Sequence, residues 1–270
     1  MIHLQAVELY VPELASRAVF PFTVPSIASL AGSRLEFASE VTFFIGENGS
    51  GKSTLLEGLA CAIGSITVGS QPVENDSSLR EVRALAQTMR LRWTRRTRRG
   101  FFLRSEDFFG YARRMKQVRE ELEADLREVE ADSHLSPTAK AYGRLPYARE
   151  IADLQRRYGE SLDAHSHGES FFTLFQSRFV PNGLYLLDEP EAPLSPVRQL
   201  ALISMLNAMV KERSAQFLIA THSPILMALP GATLYSFDGG TIQQIAYEET
   251  EHVQITRDFL NNPSLFLRHL

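Results

Sequence analysis

The chain has 270 residues, of which 44% are hydrophobic, and a formal net charge of -4 at pH 7. This composition is typical of a globular protein and excludes wholesale disorder and fibrous repeats. No apolar run approaches the ~20 residues of a membrane span, and the first residues lack the layout of a signal peptide. Cys61 is the single cysteine, so no intrachain disulfide can form, and we expect a cytoplasmic location.

The N-terminal part of the chain is predicted to form short strands. Residues 3–10 partly alternate between apolar and polar side chains, which predicts an edge strand. Three prolines then break the chain into turns, at Pro12, Pro21 and Pro25. Two further strands, joined by a short turn, are expected at Leu35–Phe37 and Val41–Ile45.

The second of these strands leads directly into the sequence Gly-Glu-Asn-Gly-Ser-Gly-Lys-Ser-Thr, which has the spacing of a phosphate-binding loop. Backbone N–H groups of such a loop point at a polyphosphate, and the following helix adds its positive N-terminal end. We expect Lys52 to reach the β- and γ-phosphates, Ser53 to offer its hydroxyl to Mg²⁺, and Thr54 to face the phosphates or the backbone. The candidate binding residues are Gly46, Glu47, Asn48, Gly49, Ser50, Gly51, Lys52, Ser53 and Thr54.

The helix after this loop is expected to end near Gly64, with a surface loop at Ile66–Leu79. Phe20 and Phe22 are candidates for stacking on an adenine ring, with packing beneath a loop as an equally good alternative. A simple Gly-Ser surface turn explains the phosphate-binding loop less well, because an apolar strand and an apolar helix flank it.

A change of charge marks residues Arg80–Arg119, which carry 13 Lys or Arg against three acidic residues, a balance of 13 - 3 = +10. The alternation around Met89–Thr94 and the turn ending at Gly100 predict a hairpin. Basic residues interleaved with aromatic ones could follow a nucleic-acid backbone. The alternative is a solvated strand face, or arginines that pair with acidic residues of this chain or of a second copy.

A small helical insert is expected to follow, so that residues 80–165 form a basic hairpin plus helical insert. Apolar residues recur at helical spacing between Tyr111 and Asp132, at Met115, Val118, Leu122, Leu126 and Val129. Pro137 and Pro146 are expected to interrupt the helical pattern, and a second helix is predicted at Tyr147–Tyr158.

The second half of the chain carries further candidate residues at strand ends. An apolar strand over Leu184–Leu187 ends in Asp188 and Glu189, which suit binding of Mg²⁺ through water and activation of an attacking water, respectively. After a helix at Leu194–Lys211, the strand Gln216–Ala220 ends in Thr-His-Ser-Pro. The histidine, His222, is expected in the same crevice, since parallel strands bring their carboxyl ends together.

The tail, residues Glu251–Leu270, is predicted to form two short helices around Pro263 that pack on the sheet. The alternative is that the tail binds a partner.

Three motifs follow one another in the chain: the phosphate-binding loop Gly46–Thr54, the strand that ends in Asp188 and Glu189, and the strand that ends in Thr-His-Ser-Pro. In this order they resemble the P-loop ATPases of the ATP-binding cassette (ABC) type, in the soluble AAA-family/OLD-like or RecF/SMC-like branch. The resemblance implies an α/β fold with a mixed central sheet, an N-terminal antiparallel β subdomain and an inserted helical subdomain, as one domain over residues 1–270. It also implies ATP and Mg²⁺ as ligands, with Ser53 and Asp188 on the metal, Glu189 as general base, and Lys52 and His222 on the phosphates.

The family's signature sequence has a partial counterpart in Ser-His-Gly-Glu-Ser, which begins at Ser166. By resemblance, Ser166 and Gly168 would contact the nucleotide of a partner in a head-to-tail homodimer that ATP binding closes. The expected function is therefore a soluble ATPase whose ATP state drives a conformational switch. One alternative is a transporter subunit with a membrane partner, which the partial match to the signature disfavours. Another is an ATP-gated nucleic-acid-binding protein. The family's Q-loop glutamine is replaced by Arg104, Ser105 or Glu106, among which the sequence does not decide.

Overall fold

The computed structural model describes residues 1–10, 19–68, 73, 76–158 and 167–268. The chain forms two compact units, of which the first combines Met1–Ser105 with Val180–Leu270 and the second is Glu106–Phe179. The first unit contains the described strands, and the second unit is helical.

The strands and helices follow one another in an α/β order. The strands are β1 (Leu4–Leu9), β2 (Arg34–Glu36), β3 (Val41–Ile45), β4 (Met89–Trp93), β5 (Phe102–Arg104), β6 (Leu184–Asp188), β7 (Gln216–Ala220), β8 (Thr233–Ser236) and β9 (Gln243–Ile245). The α-helices are α1 (Pro25–Ser29), α2 (Lys52–Ile63), α3 (Val82–Thr88), α4 (Ser105–Ala131), α5 (Pro137–Tyr158), α6 (His167–Arg178), α7 (Pro196–Arg213), α8 (Pro224–Met227), α9 (Glu251–Asn261) and α10 (Pro263–Leu267).

A three-stranded antiparallel sheet lies at the N-terminus, in the order β2-β1-β4. The buried side chain of Gln216 ties it to the central sheet. The Oε1 atom of Gln216 accepts hydrogen bonds of 2.8 Å from the backbone N–H groups of His3 and Leu4, and its Nε2 donates to the Leu4 carbonyl at 2.8 Å. Because the Gln216 side chain is fully buried, these three bonds satisfy polar groups that would otherwise cost stability.

The central sheet has six strands in the order β5-β6-β7-β3-β8-β9. The first five strands are parallel, and β9 pairs with β8 in the antiparallel direction. Every residue of β3, β6 and β7 is buried, as expected for parallel strands covered on both faces. The mixed sheet, the N-terminal antiparallel sheet and the helical unit confirm the predicted fold class. The carboxyl ends of β3, β6 and β7 meet at one edge of the sheet.

The predicted hairpin after Met89 is wrong. Strand β4 pairs with β1 in the antiparallel sheet, whereas β5 pairs in parallel with β6 in the central sheet. The physical reason is burial. Phe101–Leu103 is buried and suits a central sheet, while β4 alternates buried or half-buried side chains with exposed arginines. The basic segment thus connects two sheets.

Three further expectations are corrected. Helix α5 continues through Pro146, which lies on an exposed turn where water can replace the lost hydrogen bond. In the segment expected as a surface loop, the apolar side chains of Val68, Val73 and Leu79 are buried among the residues that the structure describes. The two C-terminal helices exist, but their apolar side chains are largely exposed. In α9 only Val253 is buried, and Phe259 contacts Phe266 with ring centroids 5.8 Å apart, so that these helices pack partly on each other.

Within the described ranges, no helix is both long and apolar enough to cross a membrane.

Candidate functional site

The phosphate-binding loop joins β3 to α2, and its glycines allow a backbone that other residues rarely adopt. Gly51 has a φ of 105°, in the left-handed region. A Cβ atom on Gly51 would lie 2.5 Å from Ser26 Oγ and 2.8 Å from Val24 Cγ1. Ser26, in α1, donates a hydrogen bond to the Ser50 carbonyl and so supports the loop from behind. The loop is therefore held in shape by close packing against α1.

The side chain of Lys52 folds back over this loop. Its Nζ donates to the backbone carbonyls of Gly46 at 2.7 Å and Glu47 at 2.8 Å, and the residue is 4% exposed. Burial lowers the pKa of the Lys52 amine, while the nearby carboxylates of Glu189 and Asp188 oppose this shift. The amine thus lies among the loop carbonyls at the start of α2, where the positive end of the helix favours a bound anion.

Ser53 and Asp188 are 135 positions apart in the sequence, but the fold brings their side chains together. Ser53 Oγ donates a hydrogen bond of 3.0 Å to Asp188 Oδ1. Asp188 is 8% exposed, and burial raises the pKa of its carboxyl to about 7, while the Ser53 hydroxyl opposes the shift. A buried carboxylate beside a hydroxyl fits Mg²⁺, because the cation prefers oxygen ligands and would offset the cost of burying the negative charge.

Glu189 and His222 face each other across the ends of β6 and β7. Glu189 has a φ of 49°, which is unusual for a residue other than glycine, and its N–H donates to the Ala220 carbonyl at 2.9 Å. His222 Nε2 lies 3.6 Å from Glu189 Oε1. Burial lowers the pKa of the His222 imidazole, and the positive charge of Lys52 lowers it further. His222 is therefore held toward its neutral form beside a partly exposed carboxylate.

Glu191 was not assigned a role by sequence reasoning, yet it organises the turn that carries His222. Its Oε1 accepts hydrogen bonds from Thr221 Oγ1 at 2.6 Å and from the His222 N–H at 2.8 Å. Burial raises the pKa of the Glu191 carboxyl, and the hydrogen bond from Thr221 opposes the shift. The only sequence signal for this role is a second acidic residue after β6.

Two more residues support the site without having been predicted. Asp238 Oδ1 accepts a hydrogen bond of 2.9 Å from the Glu47 N–H at the start of the phosphate-binding loop. His252, in the first turn of α9, places its Nε2 3.2 Å from His222 Nδ1. Both residues reach the loop or the histidine from parts of the chain about 30 to 190 residues away, so no local pattern could have revealed them.

The structure shows the contacts of two of the three Q-loop alternatives, Arg104 and Ser105. Arg104 is buried and donates to Asp76 Oδ2 at 2.7 Å and to Ser78 Oγ at 2.8 Å, so its positive charge is paired with the Asp76 carboxylate. Ser105 donates its hydroxyl to the carbonyls of Asp188 at 3.0 Å and Glu189 at 2.5 Å. Ser105 therefore contacts the Asp-Glu segment, while the side chain of Glu106 lies outside the described part of the chain.

Some predicted residues cannot be placed at the site. Ser166 lies outside the described residues, and Gly168 is the second residue of α6, so their contact with a partner's nucleotide stays a prediction. Phe22 packs in the core with 6% exposure, which rules it out for stacking, whereas Phe20 is 41% exposed.

Comparison with known proteins agrees with the motifs. Residues 26–133 match the protein family described as the AAA domain, a span that includes β3, the phosphate-binding loop and α2. The match covers less than half of the chain, and in that part it agrees with the phosphate-binding loop predicted from the sequence. No curated protein matches the chain.

Several solved structures align with this chain over most of its length. An inward-facing putative metal-chelate type ABC transporter is 15% identical, covers 95% of this chain and 88% of its own, and gives a TM-score of 0.47. The cbiO1 protein of Clostridium perfringens, part of the ABC transporter complex cbiONQ, is 18% identical with 100% coverage of both chains and a TM-score of 0.47. The Smc head domain of Pyrococcus furiosus is 11% identical, with 96% and 100% coverage and a TM-score of 0.42. At these values the likeness carries no assignment of function.

Proposed function

We propose that this protein is an ATP hydrolase that binds MgATP at the edge of its central sheet. The observation that carries the proposal is the hydrogen bond of 3.0 Å between Ser53 Oγ and Asp188 Oδ1. It lies at the edge of the sheet where Glu189 follows β6 and His222 follows β7. A phosphate-binding loop alone indicates only a bound phosphate. The added carboxylates and histidine can supply a metal ligand, a base for the attacking water and a donor to the phosphate, and these groups suit hydrolysis of a phosphoanhydride by water.

Each side chain has a separate task in this proposal. The loop amides and the Lys52 amine bind the phosphates and offset their negative charge. Mg²⁺, held by Ser53 and Asp188, would neutralise charge on the transferred phosphate. Glu189 orients the attacking water and accepts its proton, and His222 donates a hydrogen bond to the terminal phosphate. Water must be able to reach Glu189. The side chain of Glu189 is 43% exposed, which suits this role.

The same exposure supports a two-copy arrangement as the finer part of the proposal. Glu47 and Glu189 are 73% and 43% exposed, so the terminal phosphate would lie on an open face. A second copy placed head to tail would cover that face, with Ser166 and Gly168 as the residues expected from the signature. ATP binding would then close the dimer and hydrolysis would reopen it, which is the switch that we propose.

The test is phosphate release from ATP by the purified protein. We expect Mg²⁺-dependent release by the wild type, no release by Lys52→Ala, and a decrease of at least about 100-fold for Glu189→Gln. Absence of any hydrolysis by a correctly folded wild type, with and without DNA, would refute the proposal. Wild-type turnover by Glu189→Gln would instead refute Glu189 as the base.

A second candidate, ATP-gated nucleic-acid binding, has one observation in its favour. The segment that connects β4 to β5 exposes four arginines within five residues, at Arg95, Arg96, Arg98 and Arg99. Exposed guanidinium groups at this density are suited to phosphate contacts. In β4 itself, the Arg92 side chain forms an ion pair of 2.9 Å with Glu8 of the neighbouring strand, so its charge is already paired within the antiparallel sheet.

A further inference from the structure

Two histidines from separate parts of the chain form a pair beside the proposed reaction site. His222 follows β7, and His252 lies in the first turn of α9. Their Nδ1 and Nε2 atoms are 3.2 Å apart, and their rings are tilted by 52°. This distance is that of an N–H···N hydrogen bond, so one ring donates and the other accepts.

Contacts at the start of helix α9 fix the position of His252. Val253, the next residue, is 3% exposed, and Thr250 Oγ1 donates to the Tyr247 carbonyl at 2.8 Å. The Tyr247 hydroxyl in turn donates to the Pro224 carbonyl at 3.2 Å, two residues after His222. The side chain of His252 is 19% exposed. The helix start and the histidine turn are therefore joined by contacts that do not involve either ring.

The surroundings decide which ring donates. His222 Nε2 is buried, makes no hydrogen bond within the described part of the chain, and lies 3.6 Å from Glu189 Oε1. If His222 donated from Nδ1, its Nε2 lone pair would face this carboxylate, which is unfavourable. If Nδ1 accepts, the proton of the neutral ring is on Nε2, where it faces the carboxylate and can donate to a phosphate.

Glu47 does not compete for the His252 proton. Its Oε1 lies 3.9 Å from His252 Nε2, which is beyond hydrogen-bond distance, and its side chain is 73% exposed and screened by water. His222 Nδ1 is the acceptor within reach.

We propose that His252 is a positioning residue, which donates its Nε2–H to His222 Nδ1 and thereby holds His222 in the tautomer that presents Nε2–H to the terminal phosphate. The inference rests on the proposed ATPase function for its effect on rate. Its structural part, the tautomer of His222, can be measured in the protein without nucleotide.

The kinetic test compares three variants. His252→Ala removes the donor, and we expect kcat to fall about 10-fold with a less than twofold change in KM for ATP, because in this proposal His252 acts on ATP only through His222. In His252→Gln, the amide Nε2 can replace the imidazole donor, so we expect at least half of the wild-type kcat. His134→Ala, which removes an exposed histidine of the helical unit, is the matched control and should leave kcat unchanged. Thermal unfolding of each variant identifies any loss that comes from misfolding.

The spectroscopic test uses ¹⁵N-histidine labelling and the His222→Ala variant to assign the His222 resonances. We expect an unprotonated Nδ1 and a protonated Nε2 in the wild type and in His252→Gln, and a mixture of tautomers in His252→Ala. A protonated Nδ1 in the wild type, an unchanged tautomer in His252→Ala, or a His252→Gln variant as slow as His252→Ala would overturn the inference. If the wild type hydrolyses no ATP but shows the expected tautomer, the proposed function fails and the histidine pair stands.

Discussion

Replacing Asp188 by asparagine should stabilise the protein in the absence of ligands, although it removes a residue of the proposed magnesium site. Asp188 is 8% exposed, and the pKa of its carboxyl is raised from 3.8 to about 7 by burial. The ionised form is therefore disfavoured in the folded state relative to the unfolded chain. A shift of this size corresponds to about 4 kcal/mol once the group is fully ionised in both states. Asparagine keeps an acceptor for the Ser53 hydroxyl and carries no charge.

The sign of the effect sets its dependence on pH. Above about pH 7 the carboxyl is ionised in both states, and the full penalty applies to the wild type. As pH falls below this value the folded state takes up a proton, so the penalty decreases, and it vanishes below about pH 4, where both states are protonated. We expect Asp188→Asn to raise the free energy of unfolding by about 2 to 4 kcal/mol at pH 8, the lower value applying if water enters the site.

Urea unfolding at a series of pH values from 4 to 8, without Mg²⁺ or nucleotide, measures this difference. Asp258→Asn, which changes an exposed residue of α9, is the matched control and should show no trend with pH. An Asp188→Asn variant that is less stable than the wild type at pH 8, or a difference that is constant over the series, would refute the reasoning. Such a result would mean that the Asp188 carboxylate is well solvated or paired in the folded state.

The remaining predictions concern the loop and the basic segment. Gly51→Ala should lower stability by more than about 1 kcal/mol and weaken ATP binding, because the new Cβ would lie 2.5 Å from Ser26 Oγ. Gly49→Ala, where nothing lies within 4 Å, should cost less, and equal losses in thermal unfolding would contradict the packing argument. Exchange of Arg95, Arg96, Arg98 and Arg99 for glutamine should abolish any salt-dependent binding of a DNA duplex, as followed by fluorescence anisotropy. No binding by the wild type even at low salt would discard this second candidate.

Local sequence patterns were sufficient for the central part of the fold. The phosphate-binding loop needs a glycine at fixed spacing, and the flanking apolar runs are long enough to identify β3 and α2. Strand β7 was predicted with its observed bounds, Gln216–Ala220, because a fully buried parallel strand is a continuous apolar run. The order of these motifs then placed Ser53 and Asp188 together.

Other elements depend on partners that the local sequence does not show. Strands β8 and β9 were not predicted, because their short segments of three or four residues gain their stability from pairing with β3 and with each other. The hairpin prediction failed for a similar reason, since alternation over β4 does not tell which strand it will pair with. Glu191, Asp238 and His252 were missed because each acts on a group that is distant in the sequence.

Sedimentation of the Glu189→Gln variant with and without MgATP tests the central claim most directly. If ATP closes two copies over a shared site and Glu189 activates the water, this variant should bind ATP, fail to hydrolyse it and sediment as a stable dimer. The same variant without nucleotide, and Lys52→Ala with MgATP, should sediment as monomers. A Glu189→Gln variant that binds ATP and remains monomeric, or that turns ATP over at the wild-type rate, would contradict the account.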